Sequence, residues 1–223
     1  MKFEDITRSG SLEEIKENLF KLQKELKTCV SKVPIGVNDD YTGHALKNLV
    51  DFSSTLLERL IKYLEEPIEM SAWIARNLFE CYLISAYITS DPERAKEFLV
   101  QKAGDELEIF EGILTLNKLA KAKTIETPIL ERMEYIKKTM KEHNLIERGH
   151  WTVGMLAKHT GNKDEYDAFF KLYSKYVHPS SWLINAQVNE SDNWVFRNVF
   201  LLQSQLYTSY LLKVASNYKI KTS

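Results

Sequence analysis

The stretch IEMSAWIARNLFECYLISAYI, residues 68–88, carries apolar or aromatic side chains on nearly every side of a helix. Met70, Trp73, Ile74, Leu78, Phe79, Tyr82, Leu83, Ile84 and Tyr87 leave no wide polar face. A helix of that kind is stable only when other helices cover it, which predicts an all-α bundle with this segment at its centre. Pro67 fits the start, because the first turn has no use for the N–H that proline lacks. Arg76 and Glu80, four residues apart and so on one face, form the one obvious charged pair within it.

Helical punctuation continues in both directions. Ser11 and Glu14 form a capping box, followed by Ile15, Leu19, Leu22, Leu26, Cys29 and Val33 at helical spacing. Pro34 and Gly36 are expected to end that helix, with Val37 to Tyr41 as a loop. Residues 42–64 present Leu46, Leu49, Val50, Leu56, Leu57 and Leu60 on one side. Asp91-Pro92 starts a fourth helix with an acidic face, running to about Lys123. Thr127-Pro128 starts a fifth that ends near His143 and Asn144. Three glycines loosen the pattern from Glu147 to Gly161, where Thr152 caps a short helix. Asn162 and Glu165 have capping-box spacing at the head of a helix that ends on His178 and is stopped by Pro179. Ser191 or Asp192 is expected to cap a last helix from Trp194 to Tyr218. No useful length shows the period-two alternation of strands, and no internal repeat is visible. The expectation is one helical domain over 1–223, with a helix and loop in 1–41, a core in 42–180 and a terminal helix in 190–219. Roughly six to eight helices should build it.

Composition narrows the function classes. Thirty basic residues against thirty-one acidic give a net charge of −1, so the chain as a whole is no electrostatic trap for nucleic acid. Seven basic residues against three acidic ones between Asn117 and Lys141 read as a solvated helix pair. Cys29 and Cys81 lack metal-ligand spacing and read as buried free thiols in a reducing cytoplasm. The first twenty residues lack the apolar core of a signal peptide, and no run of about eighteen apolar residues predicts a membrane span. His143, His150 and His159 are too irregularly spaced for a metal site, so no metal or cofactor is expected. Trp151 to Gly161 has the outline of the first half of a helix-turn-helix, but Asp164, Glu165 and Asp167 on the next helix would repel DNA phosphates.

The residues that suggest chemistry lie in YDAFFKLYSKYVHPS, residues 166–180. Ser174 and His178 share a helical face, with Tyr173 and Val177 beside them. A histidine closing a helix is suited to proton transfer. Arg76 on the central helix offers a planar fork that bonds two phosphate oxygens at once, with Glu80 to orient it. His178, Arg76, Ser174 and Glu80 are therefore the candidate catalytic residues, and Lys171 and Tyr173 the candidate substrate contacts. A second reading keeps the same residues as a buried polar latch in a non-catalytic module that binds a partner protein.

Three stretches together resemble a large family of helical proteins named only as a domain of unknown function. They are Ala75-Arg76-Asn77-Leu78-Phe79-Glu80, Trp151 to Ala157, and Tyr173-Ser174-Lys175-Tyr176-Val177-His178-Pro179-Ser180, and the resemblance covers about Leu46 to Ser180. That family is similar in plan to the HEPN superfamily. The resemblance implies a HEPN-like bundle that often dimerises. Many HEPN members are metal-independent ribonucleases of toxin–antitoxin and phage-defence systems; others bind nucleotides or act as scaffolds. RNA or a nucleotide, and an antitoxin or defence protein, are the partners it implies. The HEPN signature is an arginine, four to six residues, then a histidine on one helix. Lys171 stands where that arginine would be relative to His178, and lysine offers a point charge rather than a fork.

Two spatial expectations follow. The last helix carries Trp194, Phe196, Val199, Phe200, Leu206, Tyr207 and Leu211, more apolar surface than one bundle face needs, which predicts a homodimer interface there. If Arg76 and His178 serve one site, they should lie within about 10 Å of each other and border a cleft.

Overall fold

The computed structural model describes residues 7–33, 40–120, 126–146, 149–186 and 193–222, and these are helical with no strand among them. The helices are α1 (Leu12–Val30), α2 (Tyr41–Lys62), α3 (Ile68–Ile88), α4 (Pro92–Ala120), α5 (Glu126–Glu142), α6 (Val153–His159), α7 (residues 163–177), α8 (Ser181–Ile184) and α9 (Trp194–Thr222). A π-helical turn at Tyr166–Phe170 interrupts α7. The described residues hold one helix more than expected, the four-residue α8, which Ser180 caps by accepting the Leu183 N–H.

Local signals set most boundaries. Ser11 Oγ accepts the Glu14 N–H, and the Glu14 carboxylate accepts the Ser11 N–H at 2.7 Å, so α1 opens on a complete capping box. It closes at Val30, short of the proline; Pro34, Gly36 and residues 37–39 lie outside the described residues. Tyr41 belongs to α2, whose start is fixed by Asp40 accepting the Gly43 N–H at 2.8 Å. Lys123, Glu147, Ser191 and Asp192 also lie outside the described residues. Asn162 does not cap α7. Its amide donates to Thr160 instead, and its carbonyl faces the Tyr82 hydroxyl.

Helix α3 occupies the centre, with α9 as its most extensive neighbour and α2, α7, α6 and α4 around it. Buried Ser71, Ala72, Ala75 and Ser85 keep its surface thin where other backbones approach. On α9, Phe200, Leu201, Leu206, Tyr207, Leu211 and Ala215 are buried, and Phe79 meets Tyr207 with ring centres 4.8 Å apart. Part of the apolar surface expected to make a dimer interface is consumed inside the subunit, because α9 packs on α1 and α2 as well as α3, while Trp194 at its start is 70% exposed.

Trp151 packs edge-on against Tyr87 at 4.8 Å, and Leu156 and Ala157 are buried, so the segment that outlines a helix-turn-helix is a wall of the bundle. Gly154 lets α6 approach α7: a Cβ there would stand 3.3 Å from the Tyr166 ring. His150 lies between Asp105 and Glu108, and His159 lies against Tyr87. Among the described residues no cluster of histidine, cysteine and carboxylate could hold a metal ion, and no helix is long and apolar enough to cross a membrane. Cys81 is buried, which pushes its thiol up to about 12, whereas Cys29 is only partly covered.

The first half of α4 joins the core through Ala95, Phe98 and Leu99. Its second half leaves the core accompanied chiefly by α5, which buries Met133 and Ile136 and packs on little else. The pair forms an arm.

Candidate functional site

Helices α3 and α7 pack side by side, and this contact brings together residues 102 positions apart. Arg76 Nε donates to Glu80 Oε1 at 2.9 Å, one turn along α3. Arg76 Nη1 lies 3.3 Å from His178 Nε2. The guanidinium carbon sits 4.5 Å from the centre of the Phe170 ring, a cation–π contact. Arginine has only donors, so in this pair His178 Nε2 accepts with its lone pair and the ring proton sits on Nδ1. The expectation that Arg76 and His178 lie close in space is met.

The sequence places His178 there for a local reason. A residue before proline avoids the helical region, and His178 has φ −119° and ψ 151° ahead of Pro179. Helix α7 therefore ends at Val177, and the imidazole swings out of the helical line towards α3. The His178 N–H still reaches the Ser174 carbonyl at 3.3 Å.

The other candidates fall in different places. Ser174 Oγ donates to the Phe170 carbonyl at 2.9 Å, so its hydroxyl braces the helix immediately after the π turn. Tyr173 is fully buried and donates to Gln203 Oε1 on α9 at 2.7 Å, facing the core rather than the Arg76 pair. Burial raises its hydroxyl well above the usual phenol range. Lys171 is exposed two turns before His178. Phe170 was missed in the sequence, although its spacing of four from Ser174 and eight from His178 was there to be read. The π turn that aims it leaves no simple mark on the sequence.

The cluster is reachable from solvent. The side chains of Arg76 and Glu80 are 21% and 28% exposed, and His178 is an exposed residue. Beside it lies a groove of about 710 Å³ between α2, the start of α3 and the end of α7. Arg59 and Tyr63 line it from α2 and its end, Glu69 and Trp73 from α3, and Tyr176 and Val177 from α7. Trp73 is one turn before Arg76 and Val177 directly precedes His178, although neither Arg76 nor His178 is among the residues that line the groove.

A second polar group lies deeper. Half-buried Glu165 has a carboxyl pushed above the usual range by burial, and its Oε2 has no hydrogen-bond partner. It stands in the field of Tyr82, Tyr173, Tyr207 and Tyr210, none of which supplies a cation.

Residues 68–194 match a family of unknown function, DUF5677, and the match begins at the first residue of α3. This covers more than half of the chain, which therefore belongs to that family. No curated protein and no solved structure matches the chain.

Proposed function

We propose that Arg76 and His178 form a phosphate-handling site that cleaves RNA, in the manner of the HEPN superfamily that the chain resembles. The observation that supports this reading is the 3.3 Å approach of the Arg76 guanidinium to an exposed histidine. On substrate binding, Arg76 turns its Nη hydrogens to a phosphoryl oxygen, which releases the lone pair on His178 Nε2. His178 then takes the proton of the ribose 2′-hydroxyl, and the 2′-oxygen attacks phosphorus. The bond to the 5′-oxygen breaks, and that oxygen receives the proton back from the imidazolium. Arg76 stabilises the charge that builds on the phosphoryl oxygens, and Glu80 holds Arg76 in place. Trp73 and Tyr63 give a neighbouring base aromatic surfaces to stack on, with Arg59 near its backbone. Lys171 is suited to a more distant phosphate. A toxin or phage-defence role, with an antitoxin or defence partner that restrains the nuclease, is the setting we infer for such an activity.

A second reading has its own support. Arg76 is held by Glu80, Phe170 and His178 together, as a structural lock between α3 and α7 would be. The deciding experiment measures cleavage of fluorogenic single-stranded RNA by the wild type, His178→Ala and Arg76→Ala, alongside their melting temperatures. The nuclease reading expects wild-type cleavage that falls at least 100-fold in His178→Ala with little change in melting. Absence of cleavage in the wild type, with both variants losing melting temperature, would establish the lock instead.

A further inference from the structure

We infer that the α4–α5 arm is the contact between two copies of this chain, which pair antiparallel along α4. On α4, Ile109, Gly112, Leu116 and Leu119 follow one another at spacings of three, four and three, the seam of a helix that packs against another helix. All four positions face solvent: Ile109 is 61% exposed, Leu116 66% and Leu119 77%. The opposite side of α4 already covers Met133 and Ile136 of α5, so α5 does not reach this seam. Two helices bury only one face each, which leaves the arm short of a core of its own.

The seam fits a second copy of itself. A two-fold axis between Gly112 and Leu116 sets Leu116 of each copy over Gly112 of the other, and Ile109 opposite Leu119. Nothing lies within 4 Å of a Cβ built on Gly112, so the helix surface is open there and the missing side chain leaves room for that leucine. A surface that meets itself about a two-fold axis must offer such a matched knob and hole. Charge selects the direction. Asp105, Glu106, Glu108 and Glu111 precede and flank the first half of the seam, whereas Lys118 is the charged residue of the second half. Parallel pairing would stack the acidic halves; antiparallel pairing separates them and also opposes the helix dipoles. Leu130 and Tyr135 of α5 are exposed as well, so the second helix of the arm also carries uncovered apolar side chains.

The test is the mass of the full chain by light scattering at tens of micromolar, with circular dichroism to follow folding. The wild type should be a dimer, and Leu116→Glu a monomer whose melting curve keeps the wild-type shape. In a Cys29→Ser background, the double variant Ile109→Cys/Leu119→Cys should give a disulfide-linked dimer under mild oxidation, because the two-fold pairing sets position 109 of each copy opposite position 119 of the other. A wild-type monomer would overturn the proposal, as would a dimer that survives Leu116→Glu or one that does not cross-link between positions 109 and 119.

Discussion

The Nη1 of Arg76 and the Nε2 of His178 stand 3.3 Å apart, a donor and a ring nitrogen joined across the seam of α3 and α7. Because a guanidinium cannot accept, a hydrogen bond here requires the tautomer whose Nε2 carries a lone pair, with the ring proton on Nδ1. Nitrogen NMR of the labelled chain near neutral pH should show an unprotonated Nε2 for His178. Arg76→Gln should return that ring to a mixture of tautomers.

Arginine at position 76 does three things that lysine cannot do together: it reaches Glu80, reaches His178 and sets its guanidinium over the Phe170 ring. Arg76→Lys should therefore cost stability although it keeps the charge. The expected loss is about 1–2 kcal/mol, read as a lower urea midpoint with an unchanged slope. Wild-type stability in Arg76→Lys would show that the fork and the ring contact contribute nothing.

Tyr173 should act on the fold, since its hydroxyl meets Gln203 Oε1 inside the bundle while Gln203 Nε2 has no partner. Tyr173→Phe leaves both ends of that amide unsatisfied, a cost of about 1–3 kcal/mol. For a chain of this size that is a fall of about 2–4 °C in Tm per kcal/mol. A change in RNA affinity at unchanged Tm would instead place this hydroxyl at the substrate.

Glu165 gives a pH dependence with a definite sign. Burial raises its carboxyl in the folded chain above the unfolded value of 4.5, so the native state holds the proton more tightly. Its contribution to stability is full below 4.5 and is lost as pH rises through the folded value. Glu165→Gln, which carries no charge at any pH, should therefore stabilise the chain at pH 7 and make little difference at pH 4. Thermal melts at the two pH values check this, and an equal effect at both would contradict it.

Trp73 reports on the groove beside the pair. Adding adenosine monophosphate should quench its fluorescence by stacking, and Trp73→Leu should weaken binding of a single-stranded RNA tetramer by roughly tenfold, about 1.4 kcal/mol. Arg59→Ala should make binding less sensitive to salt. Unchanged affinity in both variants would remove the groove from the substrate path.

The sequence by itself determined that the chain is helical and where several helices begin. Ser11 with Glu14, and the proline ahead of Ile68, act within a turn or two of the backbone, so their consequences need no tertiary contact. The all-round apolar surface of residues 68–88 fixed that helix at the centre, since nothing but other helices could cover it. Pro179 likewise set the extended backbone of His178. Other features were decided only by packing. Nothing local distinguishes an apolar helix face that meets a partner from one that meets its own core, and on α9 Phe200, Leu206, Tyr207 and Leu211 meet the core while Trp194 stays exposed. The π turn that aims Phe170 and the placing of Tyr173 inside the bundle depend on how α7 lies against α3 and α9. So does the meeting of Arg76 with His178 across 102 residues, because a contact that distant is set by which helix faces dock, and a single helix's periodicity names a face without naming its neighbour.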